Sequence, residues 1–368
     1  MTSRSLLNNV QALRAIAAYM VVLYHLRLLT PLTGEASFLF GNAGVDIFFF
    51  ISGFIINHVS AASDVGRPGA FLTKRIIRIV PLYWLLTVAI AAAGHMAPSF
   101  AGSGGAPTLL RLVKSLLFVP YFDDTGETHP ILFMGWTLNF EMFFYLVFAA
   151  ALMVRSEAHR LGLASTVLVA LVVLGAVTTP ESAVGTTYTS PLLLEFVVGM
   201  WMNFVFRRAS PRPATRIERV ALSFTILGAV ALLVIGDWAW PGLPREIKWG
   251  VPAFAIVAAT LALERRQIAT NTPLLLLLGE ASYAIYLVHP FVIKAAAIIY
   301  GRLHVTAAFV HLSAMAFVLA LVGVAGVGFH LFVERPVIAW LRRNLTPRSA
   351  KSAPTGDLPM DPFARSRD

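Results

Sequence analysis

Residues 43–60 read AGVDIFFFISGFIINHVS, eighteen residues with one acidic side chain, Asp46, and no lysine or arginine. A membrane-spanning helix needs about 17 to 25 mostly apolar residues, and this run has that length and composition. Blocks of the same kind recur near 10–29, 76–94, 135–154, 161–178, 188–206, 220–236, 249–263, 273–299 and 306–333. Together they predict an all-α, polytopic integral membrane protein of about ten transmembrane helices. The chain is 57% apolar and only 13% charged, whereas about a quarter of the residues in an average soluble domain are charged. Its mean hydropathy of +0.74 comes from blocks spread along almost the whole length, as in one helical bundle rather than a soluble domain with an anchor.

The positive charge tests this assignment, because Lys and Arg concentrate in cytoplasmic loops and must alternate from loop to loop. With the N-terminus inside, 21 of the 29 basic residues fall on the cytoplasmic side, including Lys74, Arg75 and Arg78, the run from Arg207 to Arg219, and seven from Arg335 onward. Both termini are therefore predicted to be cytoplasmic. The net charge of +10 is then a matter of topology, and no nucleic-acid partner is expected. One domain is expected over 1–342, followed by a disordered, basic cytoplasmic tail over 343–368 that is rich in Pro, Ser and charge. Within the longest outer segment, residues 107–120 carry leucines and valine at helical spacing around Arg111 and Lys114. That stretch is too short to span and fits an interfacial helix on membrane lipid. Arg14 interrupts the first apolar stretch and no small-x-small pattern follows it, so no cleavable signal is expected. The absence of cysteine removes disulfides and a thiol nucleophile, and the scattered histidines lack ligand spacing, so no metal is expected.

Ionisable groups in hydrocarbon cost at least about 2.5 to 3.5 kcal/mol at a helix centre and usually mark a pathway or a paired site. Arg14 and His25 are eleven residues apart, about 20° past three full helical turns and about 16 Å of rise, so both leave one face of the first helix. Arg14 lies toward the cytoplasm and His25 in the outer half. Snorkelling of Arg14 and simple packing of His25 are compatible with that pattern, as is a polar groove. Arg75 and Arg78, three apart on the next inward face, serve equally as cytoplasmic anchors or as a phosphate clamp shared with Arg14. Asp46 and Glu141 begin inward-running helices at a depth close to His25. Each suits either an ion pair that fixes packing or a carboxylate that orients a basic imidazole. Glu195, Glu280, Ser282, His289 and Glu334 are secondary candidates near helix ends.

These residues lie in motifs that resemble the acyltransferase 3 family of membrane O-acyltransferases. The motifs are LRAIAAYMVVLYH (13–25), GVDIFFFISGFII (44–56), RIIR (75–78), GWTLNFEMFFYLVFA (135–149), LLLEFVVGM (192–200) and GEASYAIYLVHP (279–290), in that order over nearly the whole chain. The GWTLNFEMFFY form is similar to exopolysaccharide acetyltransferases of the succinoglycan type. The resemblance implies a multi-pass protein of the inner (plasma) membrane that moves an acetyl group from cytoplasmic acetyl-CoA to a carbohydrate hydroxyl. His25 matches the family's essential histidine, Arg14 its partner arginine, and Arg75 and Arg78 the donor-associated pair. Some relatives carry a fused SGNH-type domain absent from this sequence, which implies a lipid-linked or membrane-adjacent glycan as acceptor, within the polysaccharide biosynthesis machinery. His25, Glu141 and Asp46 are thus the expected catalytic residues, and Arg14, Arg75 and Arg78 the expected donor-binding residues. A polar-lined transporter and a non-catalytic subunit of a polysaccharide assembly complex are the alternatives. The absence of an internal repeat weighs mildly against transport.

Overall fold

The computed structural model describes residues 7–26, 38–60, 64–96, 107–301 and 308–345, and among them there is helix but no strand. In chain order the helices are α1 (Asn8–Leu26), α2 (Ala43–Ser60), α3 (Pro68–Met96), α4 (Leu109–Leu116), α5 (Gly135–Ala151), α6 (Glu157–Thr178), α7 (Ala183–Tyr188), α8 (Leu193–Arg208), α9 (Arg216–Ala239), α10 (Val251–Arg265), α11 (Pro273–Glu280), α12 (Ser282–Gly301), α13 (Ala308–Phe329) and α14 (Arg335–Leu345). The predicted tail lies outside the described residues from 346 onward, and Arg343 to Leu345 complete α14.

Eight helical segments among the described residues are long and apolar enough to cross a membrane. They include all the expected blocks except two. The first corresponds to α1, whose hydropathy is lowered by Asn8, Asn9, Gln11, Arg14 and His25, and the second to α5, which is 17 residues long. The block expected over 273–299 is broken: α11 ends at Glu280 and α12 starts at Ser282. The amphipathic stretch over 107–120 forms α4, capped where the Thr108 hydroxyl accepts from the Arg111 amide.

Buried share separates the inner from the outer helices. In the span that contains α2, 67% of the residues are buried, against 17% in the spans of α6 and α9, which face lipid. α2 packs most intimately on α8. A Cβ built on Gly53 would stand 2.2 Å from the Phe196 carbonyl oxygen, and one on Gly199 would stand 2.2 Å from that of Phe50. Small residues that let backbones touch are the usual membrane solution, because lipid removes the hydrophobic drive between helices. Beside this contact Phe196 stacks on Phe49 (4.5 Å between ring centroids) and on Phe144 (4.7 Å). Asn57 also donates to the Asn203 side-chain oxygen at 3.2 Å.

The charged loops gather at one end of the bundle. The Gly66 amide donates to the Leu152 carbonyl (2.9 Å), Arg207 pairs with Glu157 (3.1 Å), and Arg265 donates to the Ala209 carbonyl (2.5 Å). Asn9, at the start of α1, joins the same end by donating to the Ile268 carbonyl at 2.6 Å. Two π-helical turns, Glu246–Gly250 and His330–Glu334, each insert an extra residue beside a buried ion pair.

The α2–α8 contact makes a direct prediction for thermal unfolding in detergent. Gly53→Ala and Gly199→Ala each force backbone apart and should destabilise by about 1–3 kcal/mol. Gly228→Ala, where an added Cβ meets nothing within 4 Å, should be neutral or stabilising.

Candidate functional site

The residues expected to act together come from α1, α2, α3, α5 and α12. Arg14, Arg75, Arg78 and Glu141 line one cavity of about 170 Å³, together with Ser52, Thr137, Tyr145, Ser282, Tyr283 and Tyr286. α3 presents Arg75 and Arg78 on one face because they are three residues apart, and Arg14 arrives from α1 within Coulombic reach of Arg78, Glu141 and Glu334. Three guanidiniums therefore face one carboxylate in the cavity wall, which makes it a site for a polyanion.

Three of the four charges are braced from behind. The Ser52 hydroxyl donates to Glu141 Oε1 at 2.9 Å, and the Tyr145 hydroxyl donates to the same oxygen. Arg14 donates to the Gln11 side-chain oxygen (3.2 Å). Arg78 forms an ion pair with Glu334 and lies over the Tyr283 ring, 5.7 Å from its centroid. The second oxygen of Glu334 meets His330 Nδ1 at 2.8 Å. Glu334 is 1% exposed and sits at the end of a π-helical turn. The added residue of that turn fits its place against α3, where a regular helix would carry the side chain about 100° around the axis.

At the other end of the cavity the Tyr286 hydroxyl is 2.8 Å from the Thr137 hydroxyl and donates to the Met134 carbonyl at 3.2 Å. One turn further along α12 is His289, whose Nε2 lies 3.2 Å from His25 Nδ1. His25 does not line the cavity; it stands beyond Tyr286, with the Phe133 ring edge-on at 5.3 Å.

Among the described residues a neighbour of His25 is His289, and the two carboxylates expected beside it bond elsewhere. Glu141 faces Ser52 and Tyr145 instead. Asp46 is fully buried at the start of α2, where it accepts from Arg245 at 2.7 Å. Glu195 lies close by, and a Cβ on Gly250 would stand 3.3 Å from Glu195 Oε1 and 3.9 Å from Asp46 Oδ1. Asp46 thus ties α2 to the π-helical turn after α9. Sequence reasoning placed Glu334 and His289 below the leading candidates because both stand near helix ends, and it did not register Tyr283 and Tyr286. The available signal was the spacing within SYAIYLVH, which puts Ser282, Tyr286 and His289 on one helical face.

Comparison with known proteins identifies the family. The model of a family described as an acyltransferase domain, acyltransferase 3, matches residues 7–330. The chain is 40% identical over 262 residues to the exopolysaccharide production protein ExoZ of Rhizobium meliloti, covering 71% of this chain and 79% of that one. It is 27% identical over 358 residues to the putative membrane-bound transacylase BcsY of Komagataeibacter xylinus, covering 94% and 86%. The peptidoglycan O-acetyltransferase OatA of Listeria monocytogenes is 28% identical over 163 residues, covering 41% and 25%. No solved structure matches the chain.

The Arg78–Glu334 pair can be tested by stability. Glu334→Ala leaves a guanidinium at membrane depth without its carboxylate and should cost roughly 3 kcal/mol, the lower end for a broken buried pair. The exposed neighbour Arg335→Ala should change detergent unfolding by less than about 0.5 kcal/mol.

Proposed function

This chain belongs to the acyltransferase 3 family, and from that membership and its cavity we propose that it moves an acetyl group from cytoplasmic acetyl-CoA to a hydroxyl of an exopolysaccharide or a lipid-linked precursor. It is a multi-pass membrane acyltransferase. The donor, the acceptor, the inner-membrane location and the residue roles are the proposal. The observation that carries the proposal is the meeting of Arg14, Arg75 and Arg78 in one cavity with Glu141. The transporter and subunit readings lose their basis with the family membership.

In this reading α1 and α5 complete ten spans and both termini are cytoplasmic. The end of the bundle that gathers the charged loops is then the inner face. The arginines bind the phosphates of the donor there, where charge-assisted bidentate contacts suit guanidinium. The pantetheine arm follows the polar wall of Ser52, Tyr145 and Thr137 toward Tyr286 and His25. Neutral His25 takes the proton of the acceptor hydroxyl as its oxygen attacks the thioester carbon. The C–S bond breaks, and the imidazolium returns the proton to the departing thiolate. Glu141 holds the charge balance of the arginine cavity, and Asp46 acts through the position of α2.

Three measurements test this. Mass spectrometry of surface glycans should show loss of O-acetyl groups in strains that carry His25→Ala or Arg78→Ala at normal protein levels; unchanged acetylation in both would overturn the assignment. In the purified protein, Arg75→Ala and Arg78→Ala should each raise KM for acetyl-CoA roughly tenfold or more, the worth of a charged hydrogen bond. A C-terminal green fluorescent protein fusion should fluoresce, and a C-terminal alkaline phosphatase fusion should be inactive. The reverse result would invert the topology.

A further inference from the structure

Beyond the cavity, α12 carries a second imidazole that the mechanism above leaves without work. His289 is fully buried. Its Nδ1 lies 3.3 Å from the Ile285 carbonyl oxygen. Carbonyl oxygens only accept, so His289 Nδ1 carries the hydrogen. In a neutral imidazole the lone pair then sits on Nε2. That lone pair is directed at His25 Nδ1, 3.2 Å away.

His25 Nδ1 is also 2.8 Å from the Val21 carbonyl oxygen. Two acceptors therefore converge on one nitrogen. The opposite tautomer of His25 would set its own lone pair against both. His25 is thereby held as the Nδ1–H tautomer, with the lone pair on Nε2, as a base requires.

We propose that His289 is the positioning residue of the transfer centre: it accepts from His25 Nδ1–H, fixes the tautomer of that ring and stabilises the imidazolium formed when His25 takes a proton. The proposal rests on His25 being the base. The arrangement does what a buried carboxylate does behind other catalytic histidines, but with a neutral partner. The tyrosine anchored on Thr137 sets the other edge of the pair, with its ring centroid 6.1 Å from that of His289.

The test compares His289→Phe and His289→Gln in the purified full-length protein, with acetyl-CoA and the de-O-acetylated glycan of the producing strain. Phe fills the space without an acceptor and should lower kcat on the order of 10- to 100-fold, with KM for acetyl-CoA within about twofold. Gln, whose side-chain oxygen can accept from His25, should recover most of the loss. Wild-type kcat in His289→Phe, or equal losses in both variants, would overturn the inference. Nitrogen-15 NMR of the wild-type histidine rings, assigned with His25→Ala, should show His25 as the Nδ1–H form, and an Nε2–H form would also overturn it. Full activity in His25→Ala is a separate outcome: it defeats the base assignment, and with it the reason for a positioning residue.

Discussion

A guanidinium cannot shed its proton at membrane depth, so each arginine set inside a bundle must be met by a carboxylate, an aromatic face or a water-filled space. Arg78 has all three. Glu334 pairs with it, Tyr283 offers its ring, and the cavity opens beside it. This requirement organises the surrounding helices. It explains why the helix after α13 takes a π-helical turn, since the turn is where Glu334 meets α3. It also accounts for His330, which occupies the remaining oxygen of that carboxylate. The second π-helical turn follows the same logic, with Arg245 at its entrance held by Asp46.

The cavity is therefore a consequence of charge that the fold has to accommodate, and its two ends differ in charge. Glu141 is held by two hydroxyls and Glu334 by Arg78 and His330, so neither carboxylate is left without a hydrogen-bond donor. Among the described residues, Arg14 and Arg75 face the same space with no ion-pair partner of their own. A cavity built this way favours an incoming anion over resident counter-charge, since part of the desolvation of the arginines has already been met by the fold. The wall changes character along its length from guanidinium to hydroxyl, and the imidazoles of His289 and His25 stand beyond it. The order matches a donor that is anionic at one end and reactive at the other.

Much of this was legible before any coordinates. Apolar blocks and charged loops located the helices, because the bilayer imposes both length and sign on a sequence. Spacing placed Arg75 with Arg78, because two residues three apart must share a helix face. What spacing cannot reach is a pairing between distant helices. Glu334 looked like a helix end because a π-helical turn has no composition of its own, and the break at Ala281 that separates α11 from α12 falls at Gly279, Glu280 and Ser282 inside one long apolar block. The carboxylate expected beside His25 was a matter of depth alone. Depth does not fix azimuth, and Asp46 faces Arg245 while Glu141 faces the arginine cavity.

Among the described residues a neighbour of His25 is the His289 ring, and the same physics that brought the arginines together bears on that choice. In the arginine cavity the resident charge is permanent, so acidic partners are stabilising. In the proposed mechanism the charge at His25 exists only while a proton is in transit, and a neutral imidazole held by a backbone carbonyl offers its acceptor continuously without a charge to be buried. On that reading the two ends of the site use different partners because one binds a permanent charge and the other a transient one.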